Sequence, residues 1–132
     1  MVKVSNFGFG TTVEDDFDAA VERVTEELAK EGFGVLTVID VQATLKKKLD
    51  VDMPAYRILG ACNPVLANQA INAVPDIGLL LPCNVLVRED NEGKVHVEFM
   101  DPGAVLGLVE DARVDPLAAE VKQKLETVLE AL

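Results

Sequence analysis

The residues with the most chemical reach in this chain are two cysteines, each followed by an asparagine: Ala61-Cys62-Asn63-Pro64 and Leu81-Pro82-Cys83-Asn84. If the two motifs stand on neighbouring strands, their thiols meet, and a pair of thiols can bind a metal, switch redox state or line a pocket. A closed structural zinc site wants four ligands, whereas each chain offers two Cys and a single His. A permanent disulfide is not expected in a reducing compartment. The spacing lacks the Cys-X-X-Cys form that lowers a thiol pKa, but Cys62 directly precedes an expected helix N-terminus, which favours thiolate. Against all of these stands the plainer reading that both cysteines are small buried hydrophobes. The metal and any cofactor remain open.

Other candidates are weaker. His96 falls on a predicted outward strand face beside Arg88, with no Ser or Cys placed to use it. Asp101 before Pro102 reads as a turn or cap residue. No phosphate loop, dinucleotide fingerprint or nucleophile elbow is present, so no catalytic constellation is recognisable and an enzyme activity is left undecided.

The elements that would position the thiols can be read from spacing and punctuation. Val2 to Phe9 patterns as a first strand. Asp16 then precedes Phe17, Ala20, Val21, Val24 and Leu28, whose three- and four-residue spacing predicts a helix capped by Asp16 and stopped at Gly32. Gly34 to Ile39 is a second strand, and Asp40 caps a short helix holding Val41, Leu45 and Leu49. Ala55 to Cys62 is the third strand, and Asn63-Pro64 opens a helix running to about Ala73. Leu79 to Glu89 and Lys94 to Met100 flank Asp90-Asn91-Glu92-Gly93, a hairpin signal with Gly93 at the left-handed position. Asp101-Pro102 starts a short apolar helix, and Asp115-Pro116 caps a final helix with Leu117, Val121, Leu125, Val128 and Leu132 in one stripe. The set predicts an α+β fold: a two-layer sandwich in which a largely antiparallel sheet carries its long helices on one face. Residues 1–132 read as a single domain.

The hairpin register pairs Arg88 with His96, Val87 with Val97 and Val85 with Phe99, placing Cys83 inward with the valines. Taking Arg57 as outward puts Tyr56, Ile58, Gly60 and Cys62 inward on the third strand. Both thiols then share one face, with Gly60 leaving room beside them. The same parity turns Leu59, Ala61, Leu80, Leu86 and Met100 outward, as a patch that a second copy, or less readily an apolar ligand, would cover.

Composition narrows the partners. With 23 acidic against 12 basic residues the net charge is −11, which opposes binding to a phosphate backbone. The only dense basic run, Lys46-Lys47-Lys48, sits beside Asp50 and Asp52 and suits a solvated helix face. No apolar stretch approaches the ~20 residues of a membrane helix, and the N-terminal segment from Met1 lacks the h-region of a signal peptide, so a cytoplasmic location is expected. Hydrophobic residues make up 49% of the chain. That surplus is expected to be buried in a homodimer rather than in lipid.

Several motifs together carry a family resemblance. Glu31-Gly32-Phe33-Gly34-Val35-Leu36, Asp40-Val41 with Leu45, Tyr56 through Pro64, and Ile77 through Val85 resemble the signature of the Domain of Unknown Function 302 family. With Asp101-Pro102 and the terminal helix, the resemblance spans nearly the whole chain. It implies a two-layer sandwich similar in layout to the TATA-box-binding-protein fold, and a homodimer. It implies no activity, and the likeness of layout to a DNA-binding protein does not extend to function.

The sequence thus points to an acidic, homodimeric binding module for a small molecule, metal or redox signal. Its expected site is Tyr56, Cys62, Asn63, Cys83 and Asn84, with neither nucleic acid nor membrane as partner. The alternative is a structural or protein-interaction module whose cysteines are inert and buried.

Overall fold

The computed structural model describes residues 2–132; Met1, where the N-terminal segment begins, lies outside them. Thirteen local choices of the chain build one sheet and its cover, in the order β1 (Val2–Ser5), β2 (Gly8–Val13), α1 (Phe17–Lys30), β3 (Gly34–Asp40), α2 (Val41–Leu49), β4 (Tyr56–Cys62), α3 (Pro64–Ala73), a 3-10 turn (Pro75–Leu80), β5 (Cys83–Glu89), β6 (Val95–Met100), α4 (Pro102–Leu106), a second 3-10 turn (Gly107–Val109) and α5 (Asp115–Glu130). The six strands form one sheet in the order β1-β2-β6-β5-β4-β3, and each neighbouring pair is antiparallel. The two longest helices cover one face, giving the expected α+β sandwich.

The punctuation behaves as its chemistry requires. Asp16 accepts from the Ala19 amide at 2.8 Å, Asp40 from Ala43 at 2.9 Å and Asn63 from Leu66 at 3.3 Å, each satisfying a donor that the helix start leaves free. Asp101 does the same for Gly103 at 2.9 Å. Gly32 and Gly93 take positive φ of 84° and 80°, where a side chain would be strained. The hairpin register is the expected one, with Arg88 opposite His96, Val87 opposite Val97 and Val85 opposite Phe99.

The core lies between the sheet and the stripes of α1 (Ala20, Val24, Leu28) and α5 (Val121, Leu125, Val128, Leu129). Phe9 stacks on Phe99 with ring centroids 5.7 Å apart, tying β2 to β6. Burying each such side chain contributes about 1.5–3 kcal/mol. A smaller cluster of Ala70, Ile77, Leu106, Val114 and Ala118 seals the end where α3, α4 and the start of α5 meet.

Four expectations are corrected. Val2 to Phe9 is not one strand: the chain folds back at Asn6-Phe7, so β1 and β2 are separate arms. β5 starts at Cys83 rather than Leu79, because Pro75–Leu80 winds into a 3-10 turn. The final helix is not capped by Asp115, which lies inside its first turn, while Val114 occupies the cap position. Most consequentially, the parity of β4 is reversed. Leu59 and Ala61 are buried against the helices, and Tyr56, Ile58 and Gly60 lie on the opposite face. Arg57 misleads because it stands on the helix side, at the rim. Its guanidinium lies 5.0 Å over the Phe17 ring and reaches Asp40 at 3.6 Å and Asp18 at 3.8 Å, so the stem covers apolar surface while the charge stays wet.

Candidate functional site

The residues expected to form one site occupy three places. Cys83, at the start of β5, faces the helices and lies opposite Ala61, while Cys62 is the last residue of β4, one step beyond. Although strict alternation would separate them, β4 ends there and turns into α3, and both cysteines line one void with Leu66, Ala70, Leu106 and Val121. Both thiols are free. The void measures about 30 Å³, room for about one water molecule in an apolar wall. Burial, and then the neighbouring Cys62, push the Cys83 thiol up to about 11. At neutral pH Cys83 is therefore a protonated, poorly nucleophilic thiol. Gly60 does not make room here: the space over it, on the other face of the sheet, is occupied by Thr37 Oγ1 and Pro82.

Asn63 also lines this void, but its amide is engaged as a bracket. Its oxygen caps α3 through Leu66, and its Nδ2 donates to the Glu31 carbonyl at 3.4 Å, joining the end of α1 to the start of α3. Asn84 points to the opposite face of the sheet and is exposed. Tyr56 stands at the far end of β4, opposite Arg88 and away from the thiols.

That opposite face carries an apolar concavity. A trough of about 490 Å³ runs between the folded-back β1–β2 hairpin and α4, lined by Val4, Phe7, Leu86, Met100 and Val105, with Ser5, Asn84 and Glu98 as its polar groups. Its floor belongs to one row across the sheet, in which Gly10 pairs with Glu98, Glu98 with Leu86, Leu86 with Ile58, and Ile58 with Ile39. Glu98 accepts from Arg88 Nε at 2.6 Å, which fixes its carboxylate against the wall. Asn84 makes no side-chain hydrogen bond among the described residues, so its amide is available to a bound group. Leu86 and Met100 belong to the outward patch read from sequence. Val4 and Phe7 were not recognised; the signal was Asn6 before Phe7-Gly8, a turn residue that folds β1 back onto the trough.

Beside the trough, His96 bridges Thr12 Oγ1 at 3.0 Å and Asp90 Oδ2 at 2.7 Å. The His96 hydrogen bond, followed by backbone donors from Lys94 and Glu92, holds the Asp90 carboxyl down at about 2. This network closes the β5–β6 hairpin. Among the described residues, no three of His, Cys, Asp or Glu come together as a metal-binding group.

A family model described as Domain of unknown function DUF302 matches residues 9–132. The chain belongs to the DUF302 family. This DUF302 chain is also similar to a solved structure, an uncharacterized conserved DUF302 protein from Bacillus stearothermophilus, with 29% identity and a TM-score of 0.88 over 96% of this chain and 98% of that one. No curated protein matches. The comparisons thus agree with the α+β sandwich, and they carry no activity with them. Among the described residues, no helix is long and apolar enough to cross a membrane.

Proposed function

We propose that this chain is a homodimeric small-ligand-binding module whose working surface is the outer face of the sheet. The observation that supports it is the trough itself, whose volume of about 490 Å³ lies within the ~300–1,000 Å³ typical of ligand pockets. Its apolar walls and few polar groups match the usual division of labour, in which apolar area supplies affinity and sparse hydrogen-bonding groups fix orientation. The charge selects the class. Net charge −11 disfavours carboxylates and phosphates, and the Glu98 carboxylate is already paired with Arg88, so the apolar walls suit a neutral, largely apolar molecule with a hydrogen-bonding group for Asn84.

The thiol pair serves this reading as packing. A void the size of one water holds no ligand, and a buried thiol raised to about 11 is a poor redox partner.

Titration with the neutral solvatochromic dye Nile red tests the proposal. The intact protein should show saturable binding, and Met100→Glu and Leu86→Glu should each weaken it at least about tenfold, while Cys62→Ala leaves it unchanged. Binding that ignores both trough variants, or that is lost with Cys62→Ala, would return the site to the thiols.

A further inference from the structure

The two edges of the sheet are built differently. β1 is a four-residue strand carrying Lys3, short and charged as edges that discourage pairing are, while a break in register occurs at both edges, between Lys3 and Ser5 in β1 and between Val35 and Thr37 in β3. β3, at the other edge, has seven residues, Gly34-Val35-Leu36-Thr37-Val38-Ile39-Asp40, with no charge before its last position and neither Lys nor Pro. A nearly continuous apolar run of this kind is the pattern of a strand covered on both faces. Here it stands at the rim, with Leu36 67% and Val38 58% exposed and Ile39 exposed as well.

The helix that continues from it shows the same deficit. α2 buries none of its nine residues, although a helix is ordinarily held by a buried stripe, and Leu49 at its end and Val51 just beyond it are exposed. Edge and helix thus form one contiguous stretch of chain with unsatisfied apolar surface and a free row of backbone donors and acceptors.

We propose that β3 is the dimer interface, where two copies pair antiparallel through this strand and extend the sheet, with α2 of each flanking the join. This rests on the homodimeric part of the reading above and names its surface. An antiparallel strand is self-complementary about a two-fold axis. Beyond the break at Leu36 the strand alternates regularly: with the axis on Val38, Val38 meets its own copy on the helix side and Thr37 lies opposite Ile39 of the second copy on the outer side. Asp40 then falls opposite Leu36 rather than its own copy. The two carboxylates stand roughly 13 Å apart along the strands, beyond the ~8 Å screening length at physiological salt. Seven residues of β3 and nine of α2 approach the ~20–30 residues per side of a standard interface. The trough opens elsewhere on the sheet and stays free.

Sedimentation equilibrium on the intact chain tests this. The unaltered protein should sediment at twice its 14.2 kDa chain mass. Leu36→Lys and Val38→Lys, each acting twice across the axis, should weaken association on the order of 100-fold with unchanged far-UV circular dichroism and unchanged Nile red binding. Met100→Lys should lose the dye but keep the dimer. Hydrogen exchange on the unaltered protein supplies a mutation-free check: β3 amides should gain protection as concentration rises through the dimer range. A monomer up to about 100 μM, well above the ~1 μM dissociation constant of a modest interface, would remove the homodimer and this interface together. A dimer that survives both lysines, or β3 amides indifferent to concentration, would remove this interface alone and leave the ligand reading standing.

Discussion

Phe99 and Met100 are neighbours in β6 and face opposite worlds. Phe99 is enclosed by Phe9 and the helices, while Met100 forms part of the wall of a trough open to solvent. The two faces of the sheet differ in the same way throughout. The helix face is filled, and where a void remains, beside Cys62 and Cys83, it is a single water in size. The outer face is made of the same residue classes but leaves a concavity of about 490 Å³ against about 30 Å³. Reactive residue types mark chemistry only where space and solvent let them act. Cys83 has reach in sequence and little in the packed core, whereas on the proposed reading ordinary Leu, Met and Asn gain a role from being left uncovered.

The comparison breaks most visibly through truncation at adjacent positions. Phe99→Ala should cost about 3–5 kcal/mol in urea unfolding, as a large side chain lost from a filled core leaves a cavity. Met100→Ala should cost under about 1 kcal/mol and show its effect in dye binding instead. Similar losses at both positions would mean that the outer face is packed in solution.

The next effect concerns Cys83. Its thiol is raised from 9.0 to about 11, so the folded state prefers the neutral form. The contribution is fully present below pH 9 and is lost as pH rises from 9 through about 11, on the order of 2–3 kcal/mol. Denaturation followed across that range should show the decline, and Cys83→Ala should flatten it. In the Cys62→Ala protein, where Cys83 is the remaining thiol, free reaction with Ellman's reagent at pH 8 would contradict the burial.

A smaller effect sharpens the outer-face geometry. A Cβ at Gly60 would press against Thr37 Oγ1 and Pro82 Cγ, so Gly60→Ala should destabilise by about 1–2 kcal/mol. Adding Thr37→Ala should recover part of that loss, since the pair shares one space; strict additivity would place the strain elsewhere.

Local chemistry was legible in the sequence, and the long-range consequences less so. The caps at Asp16, Asp40 and Asn63 and the Asp90–Gly93 turn depend on residues within a few positions of each other, and the turn alone fixed the β5–β6 register. The facing of β4 hung on one charged residue. Arg57 can reach water from the helix side by lying over Phe17, so charge did not report its direction. The trough was hidden for a different reason. It is assembled from β1, β2, β5, β6 and α4, and needs the fold-back at Asn6-Phe7 to bring Val4 and Phe7 over Leu86 and Met100. No local pattern announces such a meeting. The family resemblance reached the right architecture without indicating which face works.

The most direct test of the central claim is an amide NMR map of the protein titrated with Nile red. Shifts confined to Val4, Phe7, Asn84, Leu86 and Met100, with Cys62, Cys83, Leu117 and Val121 unmoved, are the predicted result. Shifts that cluster instead around Cys62 and Cys83 would show the core opening to admit a ligand, and would place the function at the thiols after all.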